Sequence, residues 1–168
     1  QTCRSIAASI LDAGLVCTAS LPCPGEMGGS IHINGTGSSI TDTVFVCRST
    51  GVVSRRTIVD TSEAIAELVL QDLKSLRAGG VKYTQGDIRC ITYGHLIRLS
   101  VWFLRKEWNV NLDATTKIDR IASQVKKLGE WATIKDYVLS VVKAPDKQSW
   151  IALEPTSLYG GEDYEIAF

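Results

Sequence analysis

Histidine, methionine and proline are among the scarce residues of this 168-residue chain: two, one and four, with no two prolines adjacent. So few histidines, and five cysteines without a Cys-x-x-Cys pair, exclude the usual zinc-ligand spacings. No apolar run approaches the ~20 residues that a membrane-spanning helix needs, and no signal-peptide core stands near the start. A Gly-x-Ser-x-Gly elbow, a Gly-x-x-x-x-Gly-Lys-Ser/Thr phosphate loop and a His-Glu-x-x-His pair are all missing, which removes the hydrolases, nucleotide enzymes and metalloproteases built on them. Gly35-x-Gly37 lacks the third glycine of a dinucleotide fingerprint and falls between two expected strands, not at a strand-to-helix turn. Net charge is absent too, because 18 basic side chains balance 18 acidic ones.

What is present is a globular composition. Hydrophobic residues make up 45% of the chain, enough to bury a core in one domain or in a compact half of something larger. The charge balance hides an uneven spread: residues 61–147 carry fourteen basic against ten acidic side chains, and the tail from Gln148 has four acids and no base. An excess of that size is compatible with a phosphate backbone without requiring one. Cys17 and Cys47 sit inside apolar runs and read as reduced core thiols, which points to a reducing, cytoplasmic compartment. The chain opens Gln-Thr-Cys without methionine, and a short helix followed at once by a buried strand leads us to expect further sequence upstream.

Local patterns divide the chain into residues 1–50, 51–147 and 148–168. Thr2–Asp12 reads as a short helix with Ile6, Ile10 and Leu11 on one stripe and Gly14 closing it. Leu15–Leu21 is an apolar strand ended by Pro22 and Pro24. Residues 25–41 form a glycine-rich connection, and Thr43–Cys47 is a second strand, antiparallel to the first if the two pair, since no crossover helix separates them. Thr61 or Ser62 caps a helix carrying Ile65, Leu68, Leu73 and Leu76, which ends at Gly79-Gly80. Thr84 or Gln85 begins a helix apolar nearly all round, the expected central one, with Gly86 and Gly94 as candidate interruptions. Thr115 or Thr116 caps a last long helix from Ile118 to Val141, with Gly129 a candidate break. Trp102, Phe103, Trp108 and Trp131 read as packing residues, and His95 as a hydrogen-bonded core histidine. The acidic tail reads as largely irregular.

The connection is where chemistry concentrates. Glu26, Met27, His32, Asn34, Ser38, Ser39 and Thr41 gather within about fifteen residues. A carboxylate there accepts an amine proton, an imidazole acts as acid, base or stacking surface, and an amide reads a base edge with its paired donor and acceptor. The alternative is a solvent-facing hairpin connection. Arg55, Arg56, Lys82, Arg98 and Arg105 are the candidate nucleic-acid contacts, Arg98 and Arg105 lying seven apart on one helix side; a solvated edge is the alternative.

The stretch ILDAGLVCTASLPCPGEMGGSIHINGTGSSITDTVFVCR, residues 10–48, resembles the C-terminal part of the catalytic domain of large prokaryotic adenine-specific DNA methylases, the group with an N-terminal domain of unknown function. The residues that carry the likeness are Ala13-Gly14, Pro22, Glu26-Met27, His32, Ser38-Ser39 and Val46-Cys47-Arg48. Downstream, Leu76, Gly79-Gly80, Asp87, Gly94 and Phe103 match a similar run, so about half the chain is covered. Leu21 stands where the family has tryptophan, and Gly28-Gly29 replace a polar pair.

The resemblance implies a mixed α/β fold: the last two antiparallel strands of a Rossmann-like methyltransferase sheet, then a mainly helical C-terminal extension. It implies transfer of methyl from S-adenosylmethionine to an exocyclic amine of adenine in DNA, with the glycine-rich loop over the target-base pocket. The Asn/Asp-Pro-Pro-aromatic turn and the glycine turn of such enzymes do not occur here; the cofactor would be bound mainly by residues outside this chain, and no catalytic residue is assigned within it. DNA, a second copy or a partner subunit through the helical extension, and no membrane, are the expected partners. The rival expectations are a noncatalytic helical module that binds protein or nucleic acid, and a methylase acting on RNA or a small molecule.

Overall fold

The computed structural model describes residues 2–25, 39–49 and 58–142. These residues form five helices and one two-stranded antiparallel sheet, a mixed α/β arrangement. Helix α1 (Thr2–Asp12) buries Ala7, Ile10 and Leu11 along one side. It ends in a Schellman turn: Leu15 N–H donates to Ile10 O and Gly14 N–H to Leu11 O, with Gly14 at φ 66°. The turn releases the chain directly into strand β1 (Val16–Pro24), which pairs with β2 (Thr41–Arg48).

β1 runs on through Pro22 to Pro24, three residues beyond the boundary that the prolines suggest. Pro22 lies opposite Thr43 and Pro24 opposite Thr41. The pairing survives because β1 has β2 on one side only, and a proline without an N–H is tolerated on an edge strand. The register slips between Cys17 and Ala19, where Thr18 Oγ1 donates to Val46 O at 3.1 Å.

Helix α2 (Ser62–Ala78) starts at Thr61, whose hydroxyl accepts from Ala64 N–H. Gly80, at φ 78°, closes it with a second Schellman turn. Helix α3 (Gln85–Leu104) follows, about 30 Å long, and is the buried centre that its all-round apolar sequence predicts. One of its faces meets the hairpin through Asp87, Cys90, Gly94, Ile97 and Val101, spaced alternately three and four residues apart. Gly94 does not interrupt the helix; it is where helix and sheet touch. A Cβ there would lie 2.4 Å from Ser20 Oγ and 3.0 Å from Thr43 Cγ2.

The expected last long helix is two. Helix α4 (Ala114–Leu128) is capped by Asp113, whose carboxylate accepts from Thr116 N–H, so the cap falls earlier than either threonine. Gly129 then takes φ 145°, a conformation that L side chains rarely adopt, and ends α4 before α5 (Trp131–Val142) begins. The interior consists of two apolar clusters. Ile65, Val69, Leu73, Ile88, Leu99, Ile134 and Val138 join α2, α3 and α5; Ala7, Leu11, Cys17, Ile97, Val101 and Ile121 join α1, the hairpin, α3 and α4. α3 contributes two or more buried side chains to each, and α4 also reaches both, through Leu128 in the first and Ile121 in the second.

Candidate functional site

Seven of the twelve candidate residues, Glu26, Met27, His32, Asn34, Ser38, Arg55 and Arg56, lie outside the described residues, as does the tail from 148. Ser39 and Thr41 are described, and they stand at the base of the glycine-rich connection. Both are held by Asp87 at the start of α3. Asp87 Oδ1 lies 2.8 Å from each of four donors: Ser39 Oγ, Ile40 N, Thr41 N and Thr41 Oγ1. Its Oδ2 accepts from Thr84 N–H at 2.7 Å and from Thr84 Oγ1 at 3.0 Å. Asp87 N–H returns a bond to Thr84 Oγ1 at 3.2 Å, completing a capping box.

A side chain at 0% exposure is therefore surrounded by donors on both oxygens. Placement in the first turn of α3 adds the favourable end of the helix dipole. Ser39 Oγ also lies 2.7 Å from Thr41 O, and its single proton serves either Thr41 O or Asp87. On the opposite side, Gly25 N–H donates to Ile40 O at 2.8 Å. The two ends of the connection are thus pinned to each other and to α3. Ser39 and Thr41 spend their hydroxyls on this clasp, so their role in the described structure is to fix where the connection leaves and re-enters the sheet. The pattern Thr84-x-x-Asp87 signals a helix start in the sequence; that it also grips a segment 46–48 residues away does not show there.

The three described basic candidates do not converge. Lys82 is exposed between α2 and α3, while Arg105 lies at the far end of α3 with its guanidinium carbon 3.4 Å from the Trp102 ring centroid. Arg98 is 3% exposed, in the interior and not on the helix side expected to face a phosphate backbone. The reason is the tight seat of α3 between both apolar clusters: from Gly94 to Val101 every residue of the helix is buried. Burial holds the Arg98 pKa below the usual arginine range, opposed by the Asp72 carboxylate and, only once it ionises at high pH, by the Cys17 thiolate. Its Nε has no hydrogen-bond partner among the described residues.

His95, one turn before Arg98, is the core histidine its position predicts. Its Nε2 meets Asp72 Oδ2 of α2 at 2.8 Å, while Nδ1 is buried without a hydrogen-bond partner among the described residues. Cys17 lies opposite Cys47 across the hairpin, and burial, reinforced by Cys47, pushes its thiol up to about 12. A thiol held that high stays protonated near neutral pH and is a poor nucleophile. Among the described residues no three His, Cys, Asp or Glu side chains converge as a metal site.

The packing expectation for the aromatics is met in part: Trp131 packs against the cluster of α2, α3 and α5, and Trp108 against that of α1 and the hairpin. Trp102, Trp108 and Trp131 are only partly buried and Phe103 is 38% exposed. Arg105 covers Trp102, Arg120 lies 6.0 Å from the Trp108 ring centroid, and Arg89 stands 5.8 Å from the Tyr93 centroid. The signal was available for two of these pairs, since Trp102–Arg105 and Arg89–Tyr93 have the three- and four-residue spacing that brings helical side chains together. No helix among the described residues is long and apolar enough to cross a membrane. Comparison of the chain with protein-family models, with curated proteins and with solved structures found no match.

Proposed function

We propose that this chain is the C-terminal portion of a methylase that transfers methyl from S-adenosylmethionine to the exocyclic amine of adenine in DNA, its hairpin being the end of a larger Rossmann-like sheet. The reading rests on the resemblance over residues 10–48 and 70–103, and one structural observation carries it furthest. The hairpin presents apolar side chains on both faces: Cys17, Phe45 and Cys47 pack inward, while the cross-strand pair Leu21 and Val44 stands 46% and 44% exposed on the other side. Two strands alone are marginal in water. Both prolines lie on β1, whereas β2 has none and is rich in β-branched and aromatic residues. β1 is thus suited to a sheet edge and β2 to lying between two neighbours.

The described residues do not by themselves form a seat for S-adenosylmethionine. The side of the hairpin facing α3 is closed by the contact of Gly94 with Ser20 and Thr43, and the sequence lacks the turns that would hold cofactor and target amine. No catalytic step is therefore assigned to these residues. Their part in the activity is mechanical: the Asp87 clasp fixes both ends of the connection that carries Glu26, His32 and Asn34.

The test is to read the coding DNA upstream of the Gln1 codon and assay the whole frame. The expected result is an Asn/Asp-Pro-Pro-aromatic turn and a glycine-rich strand-end turn, with labelled methyl transferred to the N6 of adenine in duplex DNA. A frame without either turn, or with both but no transfer to adenine, overturns the proposal. Calorimetric titration of the 168-residue chain with S-adenosylmethionine is expected to show weak or no binding; micromolar affinity would contradict the division of labour proposed here.

A further inference from the structure

One cleft stands apart from the hairpin and its connection. It holds about 370 Å3 and lies where α1, α3, α4 and the start of α5 meet. One wall is aromatic: Tyr93 and Trp131, both half-buried, stack with ring centroids 6.3 Å apart and an interplanar angle of 22°. The rim is cationic, with Arg4 from α1 and Lys126 from α4, both exposed and neither ion-paired among the described residues. Ser123 offers a hydroxyl, and Glu130 is the one carboxylate on the rim.

Beyond Arg4 a second depression follows the same face of α4 past Thr115 and Asp119. Thr115, Asp119, Ala122 and Lys126 are spaced four, three and four residues apart, so the two hollows form one path along that helix with Arg4 between them.

We propose that this cleft takes a nucleobase with its phosphate, the base laid against the Tyr93–Trp131 wall and the phosphate held by Arg4 and Lys126. An aromatic wall binds any base through its π-face, and cations beside it track the backbone. An aliphatic or acidic peptide would leave the wall unused. A free nucleotide and a nucleotide within a strand share this chemistry; the continuation of the path along α4 favours the strand. The inference does not depend on the methylase reading, because it concerns the helices and is measured without S-adenosylmethionine.

The test is fluorescence anisotropy of a labelled short oligothymidylate titrated with the 168-residue chain at low salt. Unlabelled adenosine monophosphate and a duplex of the same length serve as competitors. Saturable binding is expected, with the duplex competing poorly because its bases are already stacked. The Arg4→Ala and Lys126→Ala variants, both at exposed positions, should weaken binding, and each should lower the slope of log affinity against log salt by about 0.7. Trp131→Ala should weaken it roughly 5- to 150-fold, and Trp131→Phe should restore most of the loss. Competition by the mononucleotide at equal affinity would identify a free nucleotide as the source of the same chemistry and support the site. No saturable binding of either probe, or binding unchanged in an Arg4→Ala/Lys126→Ala double variant of normal thermal stability, would overturn the proposal. Loss of methyl transfer in the complete enzyme with oligonucleotide binding intact would count against the methylase reading alone.

Discussion

Single residues decide how firmly the hairpin is held to α3. Removing the Asp87 carboxylate leaves the donors of Ile40, Thr41 and Thr84 buried and unpaired, a larger loss than one hydrogen bond. We expect Asp87→Ala to cost about 3 kcal/mol, seen as a fall in Tm of roughly 6–12 °C; Ser39→Ala, which removes one donor, should cost about 1 kcal/mol. Equal Tm values for the two variants would show that the clasp is not the anchor. Gly94 sets two effects against each other. Alanine gains about 1 kcal/mol of helix propensity, but its Cβ would press on Ser20 and Thr43 at a cost of about 1–3 kcal/mol. The clash should win, and Ser20→Ala in the same background should recover part of the loss because the nearest atom is the serine Oγ. Thr84 was legible as a helix start, but its capping box with Asp87 and the clasp were not read, the clasp because its other half comes from a distant part of the chain.

At the scale of elements, three-to-four spacing and glycine or capping residues located every helical stretch, the last two read as one, and an apolar run and a β-branched, aromatic segment located the two strands. Of the boundaries that escaped, two have plain structural causes. β1 passes through Pro22 because it is an edge, a property of the neighbours and not of the strand's own residues. The split between α4 and α5 depends on Gly129, where a Cβ would lie 2.3 Å from Ser62 Oγ. Gly129→Ala should therefore cost about 2–3 kcal/mol in chemical denaturation, against about 1 kcal/mol for Gly14→Ala, where φ is also positive but no atom stands within 4 Å. Similar costs at both sites would mean that backbone conformation, not the Ser62 contact, sets the penalty. The end of α1 is also tied to the start of α4 by Asp12, which accepts from Lys117 Nζ and Trp108 Nε1 at 2.9 Å each. The Lys117 hydrogen bond first, then that of Trp108, holds the Asp12 pKa below its ordinary 3.8. A carboxyl lowered on folding contributes stability above pH 3.8 that is lost as pH falls through the folded value. The stability gap between the wild-type chain and Asp12→Asn should thus be present at pH 7 and close below about pH 4. A gap that stays constant would show that the carboxylate is not what ties the two helices.

For the whole molecule, the mixed α/β character and the central place of α3 were readable from the sequence. Which surfaces are left unfinished was not, because that depends on how the elements pack. Among the described residues, the outer side of the hairpin, with Leu21 opposite Val44, is one such surface, and a β2 edge beside it is a template for further strand pairing. We expect the 168-residue chain to self-associate with rising concentration in sedimentation velocity, and Val44→Lys to suppress this without lowering Tm. A chain that stays monomeric at high concentration would mean that the outer face is satisfied without a partner. The presence of α3 in both apolar clusters has a further consequence, in the time domain. Neither cluster can open without stripping one side of that helix, so the two halves cannot unfold independently. Amide hydrogen exchange in the middle turns of α3 should therefore report global unfolding, while α1 and α5 exchange through smaller, faster openings.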